Sequence, residues 1–193
     1  MLSARSVLAA TAFGLLGAST TLAQAQTPPP DACVGAPWDA FDFWVGTWNV
    51  YGPANGETPG PYLGHNVIER VNGGCLVTEH WVSATGNPGD SLNVFDPLLG
   101  EWRQVWMSNG WYIDYTGGLD DNGAMVLTGE AYTVQTATRA PLRGTWTPNA
   151  DGTVTQQFDQ GDGSGNWTTI FVGIYVPKAA DPRAAEAAAA RGE

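Results

Sequence analysis

Between residues 41 and 177 the chain alternates apolar and polar positions in short runs rich in Val, Thr, Ile and Trp. Gly, Asn, Asp and Pro interrupt these runs at close intervals, and no long stretch carries the 3.6-residue period of an amphipathic helix. The pattern predicts about ten strands, near residues 46–51, 62–71, 75–83, 91–96, 101–108, 111–117, 124–130, 139–147, 153–159 and 167–176. Most connections are too short for a crossover helix, so sequential neighbours are expected to pair antiparallel. The expected fold is all-β, an antiparallel meander forming a barrel, with a sandwich as the alternative.

Two turns predict a register. Asp96-Pro97-Leu98-Leu99-Gly100-Glu101 reads as a four-residue hairpin loop, with Pro presetting the first turn residue and Gly in the left-handed position. It sets Phe95 opposite Trp102, Asn93 opposite Gln104 and Ser91 opposite Trp106. Asn109-Gly110 is a strong two-residue hairpin signal and sets Trp106 opposite Ile113 and Gln104 opposite Tyr115. Both turns place Ser91, Asn93, Phe95, Trp102, Gln104, Trp106, Trp111, Ile113 and Tyr115 on one face. The other face holds the charges, including Arg103 and Asp114. The uncharged, ring-rich face is therefore assigned to the interior. Its amides must find hydrogen bonds, and a barrel of more than eight strands has room for more than packed side chains. A lined cavity is expected in preference to a solid core.

The ends of the chain read differently. Residues 1–25 have the form of a secretory signal peptide: Arg5, an apolar VLAATAFGLLGA and the small-x-small site Ala23-Gln24-Ala25. A retained anchor is the alternative. An extended strap, 26–40, follows and opens with the prolines of 27–30. The tail, 178–193, is Ala-rich, with Asp181-Pro182 at a helix start and Gly192 near its stop. A frayed, solvated helix is expected there. Export to the periplasm or beyond makes Cys33 and Cys75, the only two cysteines, a candidate disulfide, with two buried thiols as the alternative. Closing a loop of about 40 residues would contribute roughly 3–4 kcal/mol.

Charge and composition narrow the function. Nineteen acids against eight bases give a net charge of −11, so nothing could neutralise a row of phosphates and no nucleic-acid partner is expected. Two His and two Cys argue against a zinc cluster, and no metal or other cofactor is implied. There is no G-x-S-x-G elbow, P-loop or dinucleotide fingerprint. Asp159, Asp162, Ser164 and Asn166 only loosely suggest a calcium loop and lack its bidentate Glu. Nine Trp, six Tyr and six Phe supply an aromatic interior.

Four segments in order carry a family resemblance: FDFWVGTW, IERVNGGCLVTEHW, SLNVFDPLLGEWRQVWMSNG and RGTWTPNADGTVTQQF. Together, from about Phe41 to Val176, they resemble an uncharacterised family of exported bacterial lipocalin-like, calycin-type barrels. Gly46-x-Trp48 is similar to the G-x-W signature of that superfamily. The resemblance implies that Trp48 closes one end of the barrel, with Phe41, Phe43 and Trp44 beside it. A ligand stacking on Trp44 is the minority alternative. The related haem barrels use a His late in the chain, whereas the last one here is His80, so no haem is implied.

The candidate chemistry centres on Glu79. Period-two alternation groups it with Cys75, Val77 and Trp81 but does not say which face is inside. The L-x-T-E-x-W resemblance places Glu79 and Trp81 inward, leaving His80 on the surface. A buried carboxyl either pairs with a base, for which Arg143 is the candidate, or has a raised pKa suited to acid/base work. An inward Arg143 would bind a ligand carboxylate, and an outward one would be a solvated base. Gln156, on the face of Val154 and Phe158, adds an amide. The leading expectation is a binding barrel for a small apolar or aromatic molecule, lined by Trp81, Asn93, Trp102, Gln104, Trp106, Tyr115, Arg143 and Gln156. The alternatives are a cofactor-independent lyase, isomerase or hydrolase with Glu79 as acid/base and Arg143 or Gln104 steadying negative charge, and a solid structural domain with no ligand.

Overall fold

β-branched and aromatic residues at alternating positions suit a pleated, half-buried surface, and each predicted run is a strand. The computed structural model describes residues 33–57 and 59–193. The expected leader, 1–25, and the prolines of 27–30 lie outside the described residues. The strands are β1 (Gly46–Tyr51), β2 (Tyr62–Val71), β3 (Leu76–Ser83), β4 (Pro88–Asp96) and β5 (Glu101–Ser108). The meander continues through β6 (Trp111–Leu119), β7 (Met125–Thr133), β8 (Thr138–Pro148), β9 (Val154–Gly161) and β10 (Trp167–Pro177). Every sequential pair is antiparallel, and β1 pairs with β10 to close the barrel. Closure leaves no free sheet edge.

The central register is the one the turns predict. Asn93 pairs with Gln104, Ser91 with Trp106 and Asp96 with Glu101. Trp106 pairs with Ile113 and Gln104 with Tyr115. Gly100 takes φ +72°, the left-handed value its loop requires. The ring-rich face points into the barrel: Ser91, Asn93, Trp102, Gln104, Ile113 and Tyr115 are all buried, while Leu92 and Met107 of the other face are exposed.

One end of the barrel is stoppered. A short 3₁₀ helix, Trp38–Trp44, carries Phe41 and Trp44 into the lumen, where both are fully buried. The Phe41 ring stacks on Trp44 at 4.9 Å and meets Trp146 and Trp102 edge-on at 5.3 and 5.7 Å. Trp48 of β1 donates its indole N–H to the Trp44 carbonyl at 2.9 Å, tying the first strand to the stopper. Space for the rings comes from Gly144, where a Cβ would sit 2.7 Å from the Trp146 ring. The Cys33–Cys75 disulfide is formed. It pins the strap ahead of the 3₁₀ helix to the turn between β2 and β3.

The tail departs from expectation. Instead of a frayed, solvated helix, α1 (Ala184–Arg191) docks on the outer wall, with Ala187 fully buried. The reason lies in β1, whose outward residues Asn49 and Tyr51 need partners once covered. Asp181 accepts from Asn49 Nδ2 at 2.6 Å and from the Tyr51 hydroxyl at 2.7 Å. Arg183 lies over the Tyr51 ring at 4.0 Å, and Arg191 donates to Asn49 Oδ1 at 3.0 Å.

Candidate functional site

Three levels succeed one another along the lumen. The stopper fills the lowest. The middle level is a layer of hydrogen-bonded polar side chains. Above it lies a cavity of about 450 Å³, within the range of small-molecule sites. Trp81, Trp106, Phe158 and Phe171 wall it, and Glu79, Gln156 and Tyr175 stand at its floor. Thr85, Asn87, Trp111 and Ile170 on its lining are exposed and mark the mouth.

The walls follow from strand alternation. Glu79 and Trp81 are two apart on β3 and share the inner face, with His80 outward and paired to Asp90 at 2.6 Å. Phe171 and Tyr175, four apart, share the inner face of β10. Gly89 faces Trp106, and a Cβ there would lie 2.4 Å from the indole, so glycine lets the ring come close against the backbone of β4.

The middle layer is directional. Tyr115 donates to Gln104 Oε1, Gln104 Nε2 to Asn93 Oδ1, and Asn93 Nδ2 to the Ser91 hydroxyl at 2.9 Å. Ser91 donates to Glu79 Oε2 at 2.7 Å. From the other side Asn66 Nδ2 donates to Glu79 Oε1 at 2.7 Å and to the Tyr175 oxygen at 3.2 Å. The Tyr175 hydroxyl itself donates to Gln156 Oε1 at 2.5 Å. Both arms therefore aim donors at the Glu79 carboxylate. The Asn66 carbonyl oxygen, also buried, has no donor among the described residues.

Glu79 is 5% exposed and makes no ion pair among the described residues. Desolvation outweighs the hydrogen bonds from Asn66 and Ser91 and, with the Asp90 charge across the wall, pushes its carboxyl up to about 7. Burial, and second the nearby Glu79 charge, drives the Tyr115 and Tyr175 phenols well above their ordinary range, so both stay protonated.

The residues expected to line a site separate into four groups. Trp81, Trp106 and Gln156 line the cavity together with Glu79. Asn93, Gln104 and Tyr115 lie beneath it, spent on one another in the polar layer. Trp102 belongs to the stopper, packed on Phe41 and donating to the Pro37 carbonyl at 3.3 Å. A hairpin register identifies the face of a residue but not its depth along the barrel axis, and depth separates these groups. Arg143 is a correction to every reading that used it inside. Its neighbours Leu142 and Gly144 point inward, so it faces out, bonded to Asp159 at 2.8 Å and lying over the Trp167 ring at 4.7 Å. It neither pairs with Glu79 nor reaches the cavity. Burial opposes ionisation of Asp159, but Arg143, Thr169 and Gln157 together hold its carboxyl below the usual range.

Two lining residues, Phe171 and Tyr175, lay outside the expectation, as did Asn66 of the polar layer beneath. Alternation in β10 does group Phe171, Gly173 and Tyr175, so their common face was readable. Asn66 had no such signal, because β2 alternates weakly.

No protein-family model and no curated protein matches the chain. Among the described residues no group of His, Cys, Asp and Glu is placed to hold a metal ion, and no helix is long and apolar enough to cross a membrane. Asp162 accepts from Ser164 and Asn166 of its own turn, which satisfies the loop that loosely suggested calcium.

Proposed function

We propose that this is an exported small-molecule-binding barrel of the lipocalin-like kind, holding a mostly apolar or aromatic ligand in the upper lumen. The observation that carries this reading is the ring-walled space of about 450 Å³ that ends on a buried polar floor. Rings contribute apolar contact, while Glu79 and Gln156 orient one polar group, the usual division of labour in such sites. The disulfide supports export to an oxidising compartment. Trp81 and Trp106 in the walls make indole fluorescence a direct reporter. Titration with a broad panel of hydrophobic and aromatic molecules should quench it saturably. Trp106→Ala should weaken the tightest binder at least tenfold. Failure of the whole panel at millimolar concentration overturns the proposal.

One observation favours a second reading. A carboxyl that titrates near neutrality in a cavity is suited to acid/base catalysis, with Glu79 shuttling a proton on a bound substrate. Arg143 lies outside and Gln104 is engaged below the floor, so neither supplies the anion stabilisation such a reaction needs. Binding is therefore the preferred reading. Substrate turnover that Glu79→Gln abolishes while binding persists would reverse that preference.

A further inference from the structure

We propose that the ligand is an organic ammonium ion, a protonated amine on an apolar or aromatic body, with its head against Glu79 and its body between the rings. The inference rests on the binding reading above and names the chemistry of its ligand.

The first observation is an acid that the described residues leave without a counter-charge. Among the described residues Glu79 receives side-chain hydrogen bonds only from the neutral groups of Asn66 and Ser91. Every arginine of the described residues is engaged elsewhere: Arg70 with Asp42, Arg103 with Asp114, Arg139 with Glu130, Arg143 with Asp159, Arg183 with Glu186 and Arg191 with Glu193. Lys178 lies beyond β10 in the outer tail. A buried carboxylate without a cation is costly unless something supplies one.

The second observation is the wall. Trp81, Trp106, Phe158 and Phe171 surround the space above Glu79. Ring faces carry negative potential and attract cations, most strongly when water is excluded. Each Glu79 oxygen accepts one bond from the protein and has a lone pair left for an ammonium N–H. The chain's net charge of −11 also favours approach of a cation. A ligand carboxylate would meet like charge at the floor and no base.

The groups that face Glu79 define its pH behaviour. From β6 and β10 they are the phenols of Tyr115 and Tyr175, which stay protonated, and from β2 and β4 the neutral Asn66 and Ser91. Asp90 acts through the wall from outside. Glu79 is thus the group that titrates near neutrality, and a bound ammonium should displace its proton.

Three ligands with one tail separate the outcomes: 4-phenylbutylamine, 4-phenylbutanol and 5-phenylpentanoate, titrated by tryptophan fluorescence and calorimetry near pH 6 and pH 8.5. The amine is expected to bind at least about tenfold tighter than the alcohol at the higher pH, with the carboxylate weakest. Its affinity should fall at the lower pH, where binding in two buffers of different ionisation enthalpy should show release of close to one proton, while the alcohol releases none. Glu79→Gln should bring amine and alcohol within about threefold of each other. The proton count is read on the unaltered protein, so it stands even if the variant does not fold. An alcohol or carboxylate that matches the amine, or amine binding without proton release, overturns the ammonium assignment and leaves the binding barrel intact. If none of the three binds at millimolar concentration, while other hydrophobic molecules do, the assignment again falls alone. If nothing binds, both fall.

Discussion

Replacing Glu79 with Gln should stabilise the barrel at alkaline pH relative to acid pH, against the ordinary expectation for removing a hydrogen-bonded acid. The folded-state pKa is raised from the usual 4.5 to about 7, and desolvation is the main cause. Below about pH 4.5 both folded and unfolded chains hold the proton, and Glu79 carries no penalty. Between about 4.5 and 7 the unfolded chain has released it and the barrel has not, so stability falls as pH rises. Above about 7 the folded carboxyl ionises too, and the penalty levels off at about 3 kcal/mol, given ~1.4 kcal/mol per pH unit of difference. The amide side chain cannot ionise, so the variant escapes this loss. It does have to re-pair Asn66 and Ser91, which both donate to the present carboxylate, at a cost of about 1–2 kcal/mol that does not vary with pH. Urea unfolding of both proteins, followed by fluorescence at several values between about pH 4.5 and 8.5, gives the difference directly. Other titrating groups cancel in it. The stability of the variant relative to the parent should climb by about 3 kcal/mol across the series. A flat difference would refute the claim that burial, rather than hydrogen bonding, governs this carboxyl.

Three further outcomes test other parts of the structure. Gly144→Ala introduces a methyl 2.7 Å from the Trp146 ring and 2.9 Å from Tyr115, and should cost about 1–3 kcal/mol in the same unfolding assay. Asp181→Ala leaves Asn49 and Tyr51 without their acceptor; stability should fall by about 2 kcal/mol, and hydrogen exchange should quicken in β1 and α1. Arg143→Ala should lower the melting temperature, because it strips Asp159 of its cation, yet leave ligand affinity within about twofold, since the guanidinium lies outside the lumen.

Legibility varied with the kind of information required. Strand positions, the 91–117 register and the inward face were open to reading because alternation and turn chemistry are local. Asp96 to Glu101 and Asn109-Gly110 lie within the segments they align. The inward Glu79 and the Cys33–Cys75 bond needed a resemblance or a compartment argument in addition to pattern. Depth along the axis was hidden, since it depends on strand tilt summed around the whole barrel. Trp102 and Trp106 share a face but lie in different levels for that reason. Arg143 was misjudged through its small and apolar neighbours, which gave its strand without deciding which of two opposite faces it occupied. The docking of α1 was invisible because it depends on Asn49 and Tyr51, 132 and 130 residues away from Asp181 along the chain.

With Phe41 and Trp44 corking the lower end, the cavity opens at the other, through the mouth that Thr85, Asn87, Trp111 and Ile170 mark. On the binding proposal, a guest would enter there head first and back out the way it came. Its leading group would then be inspected closely at the bottom, while its trailing end could jut into water unexamined. Among homologous compounds that share one head, affinity should climb with tail length only until the chain reaches the brim, and stay level beyond it.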